Sequence, residues 1–550
     1  MTLTRPTGRA LPVLDLVAPA AAPASPPVPD DARVTEFRPE MPALPTFHVW
    51  TLGCQMNRSD SEEMAGRLLA AGCAEAASMD TADLVVINTC AIREAAEQKV
   101  IGRQGVLKRL KAANPAMRVV LTGCAVREAE RDGLARRFPA VDLFLRPDEE
   151  PELVDRLGLA SAQGAVGLRG TRSAATTVVG RASVGAADHL PGTRAMAVTG
   201  GAVERESATS AWLPIVYGCD KTCTYCIVPF SRGPERSRPF DDILDEARSL
   251  AAAGYREVTL LGQNVNSYGH DLAPDERFAE VDTDRWAGRR LDLHGRPDLA
   301  ALIRAIDAIA TADGVPAIPR LRFVTSHPWD LSDRLIAAMA DCPSVCAHLH
   351  LPVQSGSDEV LRRMGRQYTI EHYSERLERI RAAVPDIAIS TDVIVGFCGE
   401  TDEQFRATLE LLETVRYDQV FAAAYSERPG TPATRLADDV PPAVKRARLN
   451  ELLALQESIG LERNRAWVGR DVEVLVDSLT PPRSHDHEEP SAGDGDPGTM
   501  AQPTGPRVAG RSRQNKLVHL AGGPELIGRL VTARIEQAGP YALRAAVVGE

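Results

Sequence analysis

The most informative stretch of this 550-residue chain is Gly218-Cys219-Asp220-Lys221-Thr222-Cys223-Thr224-Tyr225-Cys226. Its three cysteines are spaced C-x3-C-x2-C, so one loop can place three thiolates over a single face of a metal cluster. Thiolates are the ligands that iron–sulfur clusters prefer. Three ligands leave one iron of a four-iron cube without a protein ligand, and a small molecule can bind at that iron.

Two other interpretations of this stretch are a zinc knuckle and three unrelated thiols. A structural zinc site takes four ligands, often as two C-x2-C pairs. The nearest following histidine, His270, lies far along the chain, and the next cysteine, Cys342, lies farther still. The spacing and its surroundings therefore favour an iron–sulfur cluster.

The composition limits the function classes. The chain carries a net charge of −12, so its overall field repels nucleic acid, and any RNA contact must come from a local basic patch. It has no apolar run long enough to span a membrane, and we expect no membrane partner. Ten cysteines, grouped as they are, favour metal binding in a reducing compartment. We therefore expect a cytoplasmic protein of about three domains.

Residues 1–45 are rich in alanine and proline. One interpretation is a signal peptide, because the run from Leu11 to Ala24 is weakly apolar. Asp15 and repeated prolines interrupt that run, so we predict a disordered tail instead.

Between residues 46 and 157, short apolar runs alternate with amphipathic stretches. This alternation predicts a parallel sheet with right-handed crossovers. The predicted strands are His48–Cys54, Leu84–Cys90, Arg118–Cys124 and Val141–Leu145. The predicted helices are Arg58–Ala71, Arg93–Ala113 and Val126–Phe138.

Cys54, Cys90 and Cys124 each end a predicted strand. Parallel strands share one carboxyl-terminal edge, where open α/β folds bind ligands, so we expect these three thiols to converge there. For any one of them, a buried structural cysteine would be the favoured interpretation. Their equivalent positions favour a second three-thiol site, whereas Cys73 lacks this setting and is predicted to be structural.

Residues 158–210 lack clear periodicity and are predicted to form a linker.

From 211 to 440, six strand–helix units predict a partial (β/α)6 barrel, with its catalytic loops at the carboxyl ends of the strands. The predicted strands are Leu213–Gly218, Glu257–Gly262, Arg320–Thr325, His348–Val353, Ile387–Gly396 and Gln419–Tyr425. The predicted helices are Asp241–Gly254, Leu299–Ala312, Ser332–Met339, Ile370–Val384 and Asp402–Val415. The charged stretch 270–296 is predicted to be a surface insertion without chemistry.

Polar side chains follow four of these strands, where barrels bind their ligands. They belong to the runs Gly262–Tyr268, Thr325–Pro328, Leu351–Ser357 and Gly396–Thr401. His327 is either an acid or base, or a hydrogen-bonded turn residue. His348 and His350 alternate along a strand and are predicted to face one side, toward the barrel interior.

The cysteine spacing of residues 219–226 resembles that of the radical S-adenosylmethionine (SAM) enzymes. The runs Thr51–Asn57, Asn88–Glu94 and Gly123–Ala125 resemble the amino-terminal domain of the methylthiotransferases. This resemblance, which covers about residues 46 to 545 with gaps, implies two [4Fe–4S] clusters and SAM as cofactors. The implied ligands are Cys219, Cys223 and Cys226 for the cluster that binds SAM, and Cys54, Cys90 and Cys124 for the cluster that carries the sulfur to be transferred.

The four polar runs also resemble signatures of the family, which implies contacts to SAM. The implied contact residues are Gln263, Gln354, Ser355, Gly396, Gly399 and Glu400. Gly396 and Gly399 would let the backbone approach the adenine or ribose closely, although simple turn chemistry is the alternative. Cys398 stands where relatives usually have proline.

The last region begins with a predicted helix at 441–468 and continues as a domain at 469–550. Strands are predicted at Asp471–Asp477, Leu530–Glu536 and Tyr541–Val548, and a disordered insertion at about 480–506. The region resembles the TRAM domain, a small RNA-binding β-barrel. The residues predicted to contact RNA phosphates are Arg507, Arg511, Arg513 and Lys516. A solvated strand edge is the alternative interpretation of these four cations.

The predicted architecture is α/β, with an N-terminal parallel-sheet domain, a central partial barrel and a small C-terminal β-barrel. The resemblance implies methylthiolation of carbon 2 of an N6-isopentenyladenosine next to the tRNA anticodon, with SAM as methyl donor and radical source. The implied partners are the tRNA anticodon loop, an electron donor such as flavodoxin or ferredoxin, and a sulfur source. Two alternatives stay open: a methylthiotransferase acting on a ribosomal-protein aspartate or on threonylcarbamoyl-adenosine in tRNA, and an iron–sulfur RNA-binding protein without catalysis.

Overall fold

The computed structural model describes residues 45–90, 94–127, 131–159, 203–281, 284–286, 289–291, 293–480 and 507–549. The predicted N-terminal tail, most of the predicted linker and the predicted insertion at about 480–506 lie outside these residues. None of the helices in these ranges is long and apolar enough to cross a membrane.

The N-terminal sheet has five parallel strands in the order β2-β1-β3-β4-β5. The strands are β1 (Thr46–Leu52), β2 (Ala74–Glu75), β3 (Leu84–Thr89), β4 (Arg118–Thr122) and β5 (Leu143–Phe144). The helices are α1 (Gln55–Ala70), α2 (Glu94–Ala113), α3 (Arg131–Arg137) and α4 (Leu153–Arg156). The predicted parallel sheet is confirmed, and the prediction lacks the two-residue strand β2 and the short helix α4.

Both faces of this sheet are covered, because successive residues of β3 pack into two different cores. Leu84 and Val86 pack with residues of α1. Val85 and Ile87 pack with residues of α2. Every residue of β3 is buried, which explains why the strand is a continuous apolar run in the sequence.

The central region has six parallel strands, as predicted, in two groups of three. In chain order the strands are β6 (Ser210–Pro214), β7 (Val216–Tyr217), β8 (Arg236–Ser237), β9 (Glu257–Leu261), β10 (Asp284–Trp286), β11 (Arg289–Leu291), β12 (Arg320–Phe323), β13 (His348–His350), β14 (Ala388–Val395) and β15 (Gln419–Ala424). The groups are β12-β9-β6 and β13-β14-β15, whereas β7 with β8 and β10 with β11 form short antiparallel pairs. A parallel bridge between Leu321 and Val345 joins the two groups into one open, partial barrel.

The two faces of this curved sheet differ in polarity, since side chains alternate along a strand. Leu321 and Phe323 of β12 belong to the apolar core that the helices cover. On the opposite face, Arg320 and Arg322 donate to Glu257 of β9 at 2.9 and 2.8 Å. The face opposite the helices, which is the concave face of the partial barrel, is therefore polar at these positions.

The central helices are α5 (Val228–Ser231), α6 (Phe240–Ala252), α7 (Leu299–Asp307), α8 (Asp333–Asp341), α9 (Asp358–Arg363), α10 (Ile370–Ala383) and α11 (Asp402–Val415). The bounds of α11 match the prediction, because Thr401 and Gln404 form a capping box at its start. The predicted end of α7 at Ala312 is wrong, since the chain turns after Asp307 into a bridge between Ala310 and Pro316.

Part of the stretch 270–296 is packed rather than superficial. Phe278, Val281 and Leu293 are buried in a small cluster against Phe240 and Ala301. The prediction of a purely surface insertion is therefore wrong for these residues, because their apolar side chains close over the start of α6 and α7.

The C-terminal region begins with α12 (Pro442–Arg465) and forms a closed barrel in the order β16-β17-β18-β20-β19. Its strands are β16 (Asp471–Leu479), β17 (Arg507–Ser512), β18 (Leu517–Ala521), β19 (Leu530–Ala538) and β20 (Ala542–Gly549). The predicted small β-barrel is confirmed. The sequence pattern does not predict β17 and β18, because the polar residues at their shared turn hide the alternation.

The small barrel docks on the polar concave face through its backbone. Arg320 donates from Nη2 to the carbonyl oxygens of Arg511 at 2.8 Å and Ser512 at 3.0 Å. Arg322 donates to the carbonyl oxygens of Ser512 at 2.7 Å and Arg513 at 3.1 Å. Both guanidinium groups are buried, so these bonds fix the hairpin of β17 and β18 against the central sheet.

Candidate active site

The first three-thiol site lies in the loop after β7, at the carboxyl-terminal side of the first barrel strand. Gly218 begins this loop with a φ of +73°, and a β-carbon there would overlap the carbonyl oxygen of Pro234. Thr224 fastens the middle of the loop, because its N–H donates to Met364 O at 2.9 Å and its carbonyl accepts from Ala433 N at 2.8 Å. The loop is thus held at its start and at its centre.

The thiols of Cys219, Cys223 and Cys226 lie close enough to influence one another. Burial raises the pKa of Cys219 and that of Cys226 to about 12, and the charge of Cys223 acts in the same direction on both. The raised pKa values disfavour free thiolates, whereas a bound metal deprotonates the thiols that coordinate it. The site thus offers three thiols on one fixed loop, which is the donor set that an iron–sulfur cluster takes.

A buried guanidinium that the sequence-based prediction lacks faces this site. Arg366 donates from Nη1 to Cys223 Sγ at 3.4 Å, from Nε to the Tyr368 hydroxyl at 2.9 Å and from Nη2 to Pro352 O at 2.9 Å. No spacing or periodicity in the sequence marks Arg366, since it reaches Cys223 across 143 residues of chain.

The second three-thiol site lies at the carboxyl-terminal edge of the N-terminal sheet. Cys54 follows β1 and caps α1, Cys90 follows β3, and Cys124 follows β4 after Gly123. Because β1, β3 and β4 are adjacent and parallel, the three residues share one edge, as predicted. A hydrogen bond with Cys90 lowers the pKa of the Cys54 thiol to about 6, whereas burial raises the pKa of Cys124.

Two fully buried asparagines lock the loops that carry Cys54 and Cys90. Asn57 donates to Asn88 Oδ1 at 2.8 Å, and Asn88 donates back to Asn57 O at 2.8 Å and to Ser61 Oγ at 3.1 Å. The Cys54 thiol and N–H both donate to Asn57 Oδ1 at 3.3 Å. These bonds fix the thiol edge before any ligand binds.

Arg232, which lies at the end of α5 shortly after Cys226, links the central domain to the N-terminal thiol site. Its Nε donates to Cys124 Sγ at 3.1 Å, and its Nη2 donates to Asp60 Oδ2 at 2.5 Å. Only 4% of the Arg232 side chain is exposed. A side chain of the central domain therefore contacts a thiol of the N-terminal site.

Among the described residues, no group of three or more histidine, cysteine, aspartate and glutamate side chains is arranged to hold one metal ion. The fit to an iron–sulfur cluster rests on the donor set instead, since each site offers three thiols on a fixed loop or edge.

Buried polar atoms without partners lie at the carboxyl ends of the barrel strands. Gln263 follows β9, and its Oε1 and Nε2 are buried without a hydrogen-bond partner among the described residues, as is Oγ of Ser326 after β12. Thr325 and Gln354 have φ values of +69° and +73°, which side chains rarely adopt. Since buried polar atoms are normally satisfied and strained backbone concentrates at functional sites, these strand ends fit a polar ligand such as SAM.

Two of the predicted SAM contacts have a different role in the fold. A β-carbon at Gly396 would overlap the side chain of Lys445, and one at Gly399 would overlap Arg363. Both glycines also have positive φ values, of +68° and +72°. Each glycine therefore makes a turn and leaves room for a protein side chain, and the predicted approach to the adenine or ribose stays a prediction.

Glu400 and Ser355, also predicted to contact SAM, have partners within the protein. Glu400 is buried, accepts from Gly396 N at 2.6 Å and pairs with Arg448 at 2.8 Å. Ser355 is buried and its Oγ accepts from Ser357 N at 3.2 Å. These two side chains hold the loops after β13 and β14 in place.

The histidines named from the sequence differ in environment. His327 Nδ1 accepts from Trp329 N at 3.2 Å, and burial holds its pKa well below the usual range. Of the two interpretations of His327, this hydrogen bond favours the turn residue over the acid or base. His348 Nε2 and His350 Nδ1 lie 3.0 and 2.9 Å from Ser390 Oγ, so they face one side, as predicted.

The four cations predicted to contact RNA do not form one free surface. Lys516 is buried, and its Nζ donates to Asp418 at 2.8 Å and Asn464 at 2.9 Å. Arg513 donates to the carbonyl oxygen of Val345 at 2.9 Å. The prediction is therefore corrected for these two, because both are engaged in contacts with the rest of the chain. Of the four cations, Arg511 is exposed, and Arg507 and Arg513 are partly exposed. Arg511 also donates to Asn515 O at 3.0 Å within its own hairpin.

Comparisons with known proteins agree with this geometry. Residues 213–412 match the radical SAM superfamily, and residues 46–146 match the uncharacterized protein family UPF0004. The tRNA-2-methylthio-N(6)-dimethylallyladenosine synthase of Acetivibrio thermocellus is 40% identical over 502 residues, which are 90% of this chain and 90% of the relative. The synthase of the same name from Carboxydothermus hydrogenoformans is 40% identical over 504 residues, 92% of this chain and 99% of the relative. The chain therefore belongs to the family of the tRNA-2-methylthio-N(6)-dimethylallyladenosine synthases, within the radical SAM superfamily.

Proposed function

We propose that this chain attaches a methylthio group to carbon 2 of N6-isopentenyladenosine next to the tRNA anticodon. The observation that carries the proposal is the pair of separate three-thiol sites, one on each α/β domain, in a chain that matches named synthases over 90% of its length. Carbon 2 of adenine bears an unactivated C–H bond, and its replacement needs radical chemistry that a cofactor supplies.

The six cysteines at these sites would hold two [4Fe–4S] clusters. Cys219, Cys223 and Cys226 would ligate the cluster that binds SAM. Cys54, Cys90 and Cys124 would ligate the cluster that carries the sulfur. When bound, these groups supply the electron for reductive cleavage of SAM and the sulfur for transfer.

The chain's own residues would bind and orient the cofactor and exclude water. Gln263 and Ser326 offer buried polar atoms that a bound SAM would satisfy. Gln354 holds a strained backbone at the end of β13, which supports a role in positioning. Arg366 fixes the Cys223 thiol through a buried hydrogen bond.

The small C-terminal barrel would act as a TRAM domain and grip the tRNA anticodon loop. Arg507 and Arg511 would contact phosphates, because their side chains remain accessible on β17. An electron donor such as flavodoxin or ferredoxin and a separate sulfur source would complete the reaction. The ten cysteines, six of them proposed cluster ligands and none in a disulfide, support a reducing, cytoplasmic setting.

The proposal is tested by the substrate itself. A pocket that accepts an isopentenyl group loses the burial of about five carbons with plain adenosine, at roughly 0.8 kcal/mol per CH₂. Part of that is offset by ordering the group. We expect matched tRNA transcripts that lack the isopentenyl group to react at least tenfold more slowly in kcat/KM, or about 1.4 kcal/mol.

The measurement counts 2-methylthio product by mass spectrometry of nucleosides from the two transcripts. Transcripts that carry threonylcarbamoyl-adenosine and a peptide with the ribosomal-protein aspartate serve as comparison substrates. Equal rates with and without the isopentenyl group, or faster reaction of a comparison substrate, would contradict the substrate assignment. Failure of the loaded protein to cleave SAM at all would contradict the radical chemistry.

A further inference from the structure

We propose that Arg232 is a positioning residue of the N-terminal cluster site, contributed by the central domain, which raises the reduction potential of the cluster bound there. The inference rests on the proposed function, because it requires that Cys54, Cys90 and Cys124 hold a cluster. It goes beyond that function by assigning a role to a residue that is not a ligand.

The contacts of Arg232 define this role. Its Nε lies 3.1 Å from Cys124 Sγ, and its Nη2 lies 2.5 Å from Asp60 Oδ2. Cys124 is 2% exposed and Asp60 is 6% exposed, so all three groups are shielded from water. A charge interaction is much stronger in such a setting than in bulk solvent.

The physical effect follows from where the charge lies. Hydrogen bonds to the sulfur ligands and the net charge near a cluster set its reduction potential. A cation that donates to a ligating sulfur stabilises the added electron and raises the potential. Asp60 opposes this effect, because its carboxylate is paired with the same guanidinium. Removal of the cation and removal of the anion should therefore shift the potential in opposite directions.

The position of Arg232 in the chain gives the contact a second property. The residue lies six positions after Cys226, in the segment that also carries the SAM-cluster cysteines. Its bond to Cys124 spans 108 residues and joins the two domains. The bond forms only when the domains are docked, so the N-terminal site acquires its full set of contacts only in the assembled protein.

Arg366 provides an internal comparison. It donates to Cys223 as Arg232 donates to Cys124. Its other hydrogen bonds go to a hydroxyl and a backbone carbonyl, not to a carboxylate. Each three-thiol site thus has one buried guanidinium on one thiol, but only Arg232 has an acidic side chain bonded to it. Opposite shifts of the reduction potential can therefore be measured by replacing Arg232 and Asp60 separately.

The experiment uses the full chain with Cys219, Cys223 and Cys226 all replaced by alanine, so that only the N-terminal site can load. The protein is reconstituted with iron and sulfide. One electron per cluster is then added from dithionite through mediators, and the reduced cluster is followed by electron paramagnetic resonance. We expect Arg232→Gln to lower the midpoint potential, Asp60→Asn to raise it, and Arg232→Lys, which keeps the charge, to lie between Arg232→Gln and the parent.

Arg238→Gln is the matched control. Arg238 is also buried on the same segment, but it donates to Pro214 O at 2.8 Å and Glu246 at 2.9 Å instead of a thiol. We expect this variant to keep the parent's potential. Shifts of the same sign in Arg232→Gln and Asp60→Asn, or potentials of Arg232→Gln and Arg238→Gln that agree, would overturn the proposal.

Iron content distinguishes the remaining outcomes. If Arg232→Gln loses iron and Arg232→Lys retains it, the potential of Arg232→Lys decides: a value below the parent's supports the proposal, and a value equal to or above the parent's overturns it. Loss from both, together with a lower melting temperature, assigns Arg232 to fold stability alone and overturns it. If Cys124→Ala in the same background still binds a full cluster, the ligand assignment of the proposed function fails instead.

Discussion

Lys516 is a single residue that ties the small barrel to the central domain. Its ammonium group pairs with Asp418 at 2.8 Å, and only 7% of each side chain is exposed. Arg463 pairs with the same carboxylate at 2.9 Å. Burial acts to raise the pKa of Asp418, but the two cations outweigh it and hold the pKa below its ordinary value. The carboxylate therefore remains charged in the interface.

Replacement of Lys516 by alanine should destabilise the protein by about 3 kcal/mol, the low end for breaking a buried pair, because Arg463 still compensates Asp418. Because the folded pKa of Asp418 lies below the unfolded value of about 3.9, its contribution is complete above that pH and is lost as the pH falls through the folded pKa. Urea unfolding at neutral pH and at pH 3 measures both effects.

The control for this prediction is Arg534→Ala. Arg534 pairs with Asp471 on the surface, where 56% and 40% of the two side chains are exposed. Surface pairs contribute little to stability, so this variant should unfold close to the parent. Equal destabilisation of the two variants would show that the Lys516 pair does not stabilise the interface.

At the scale of elements, the three-thiol edge depends on one tight turn between β4 and Cys124. Gly123 has a φ of +95°, and a β-carbon there would overlap the carbonyl oxygen of Thr89. The turn thus lets β4 approach the end of β3 and brings Cys124 beside the other thiols. A side chain at this position is excluded both by its φ value and by the neighbouring backbone.

We expect Gly123→Ala to abolish iron loading at the N-terminal site while SAM binds and is cleaved as before. Gly105→Ala is the matched control, because Gly105 lies in α2 with no atom near its missing β-carbon. It should stabilise the protein by roughly 0.5–1 kcal/mol and leave iron loading unchanged. Iron analysis and thermal unfolding of the two variants provide the measurement. Full loading in Gly123→Ala would contradict the role of this turn.

The elements are predictable where local pattern determines them. The alternation of apolar runs locates β3 and β4, and parallel pairing then places Cys90 and Cys124 at one edge. Contacts across the chain are not predictable, because no local pattern encodes them. Arg232 reaches Cys124 over 108 residues, and Lys516 reaches Asp418 over 98. For the same reason, the sequence predicts one basic surface of four cations, although Arg513 and Lys516 form hydrogen bonds to the central domain.

At the scale of the whole molecule, binding of an anionic substrate has to overcome the net charge of −12. The docked barrel leaves Arg507 and Arg511 on β17 as accessible cations, whereas Lys516 is buried. Local patches of this kind bind phosphate without identifying bases. In the proposed function, these cations would supply affinity for the tRNA backbone without selecting the nucleotide.

We expect the double substitution of Arg507 and Arg511 by alanine to weaken tRNA binding and to reduce the slope of log K against log salt by about 0.7–0.9 for each phosphate that is no longer neutralised. Titration of labelled tRNA at several salt concentrations measures the slope. Arg534→Ala, elsewhere on the same barrel, should leave it unchanged. SAM cleavage without tRNA should be unaffected in both. A salt slope equal to the parent's in the double variant would place the RNA on another surface.

The backbone docking of the small barrel allows this module to be exchanged. Arg320 and Arg322 donate to carbonyl oxygens at positions 511 to 513, and every amino acid carries that acceptor. The side chain at position 511 can therefore vary while these bonds persist. Ser512 is buried with its Oγ accepting from Lys516 N, and Arg513 and Lys516 attach the hairpin through their side chains as well. Transplanting a small barrel with the same hairpin path but different surface cations would create a chimaera with altered RNA affinity and an unaltered catalytic body.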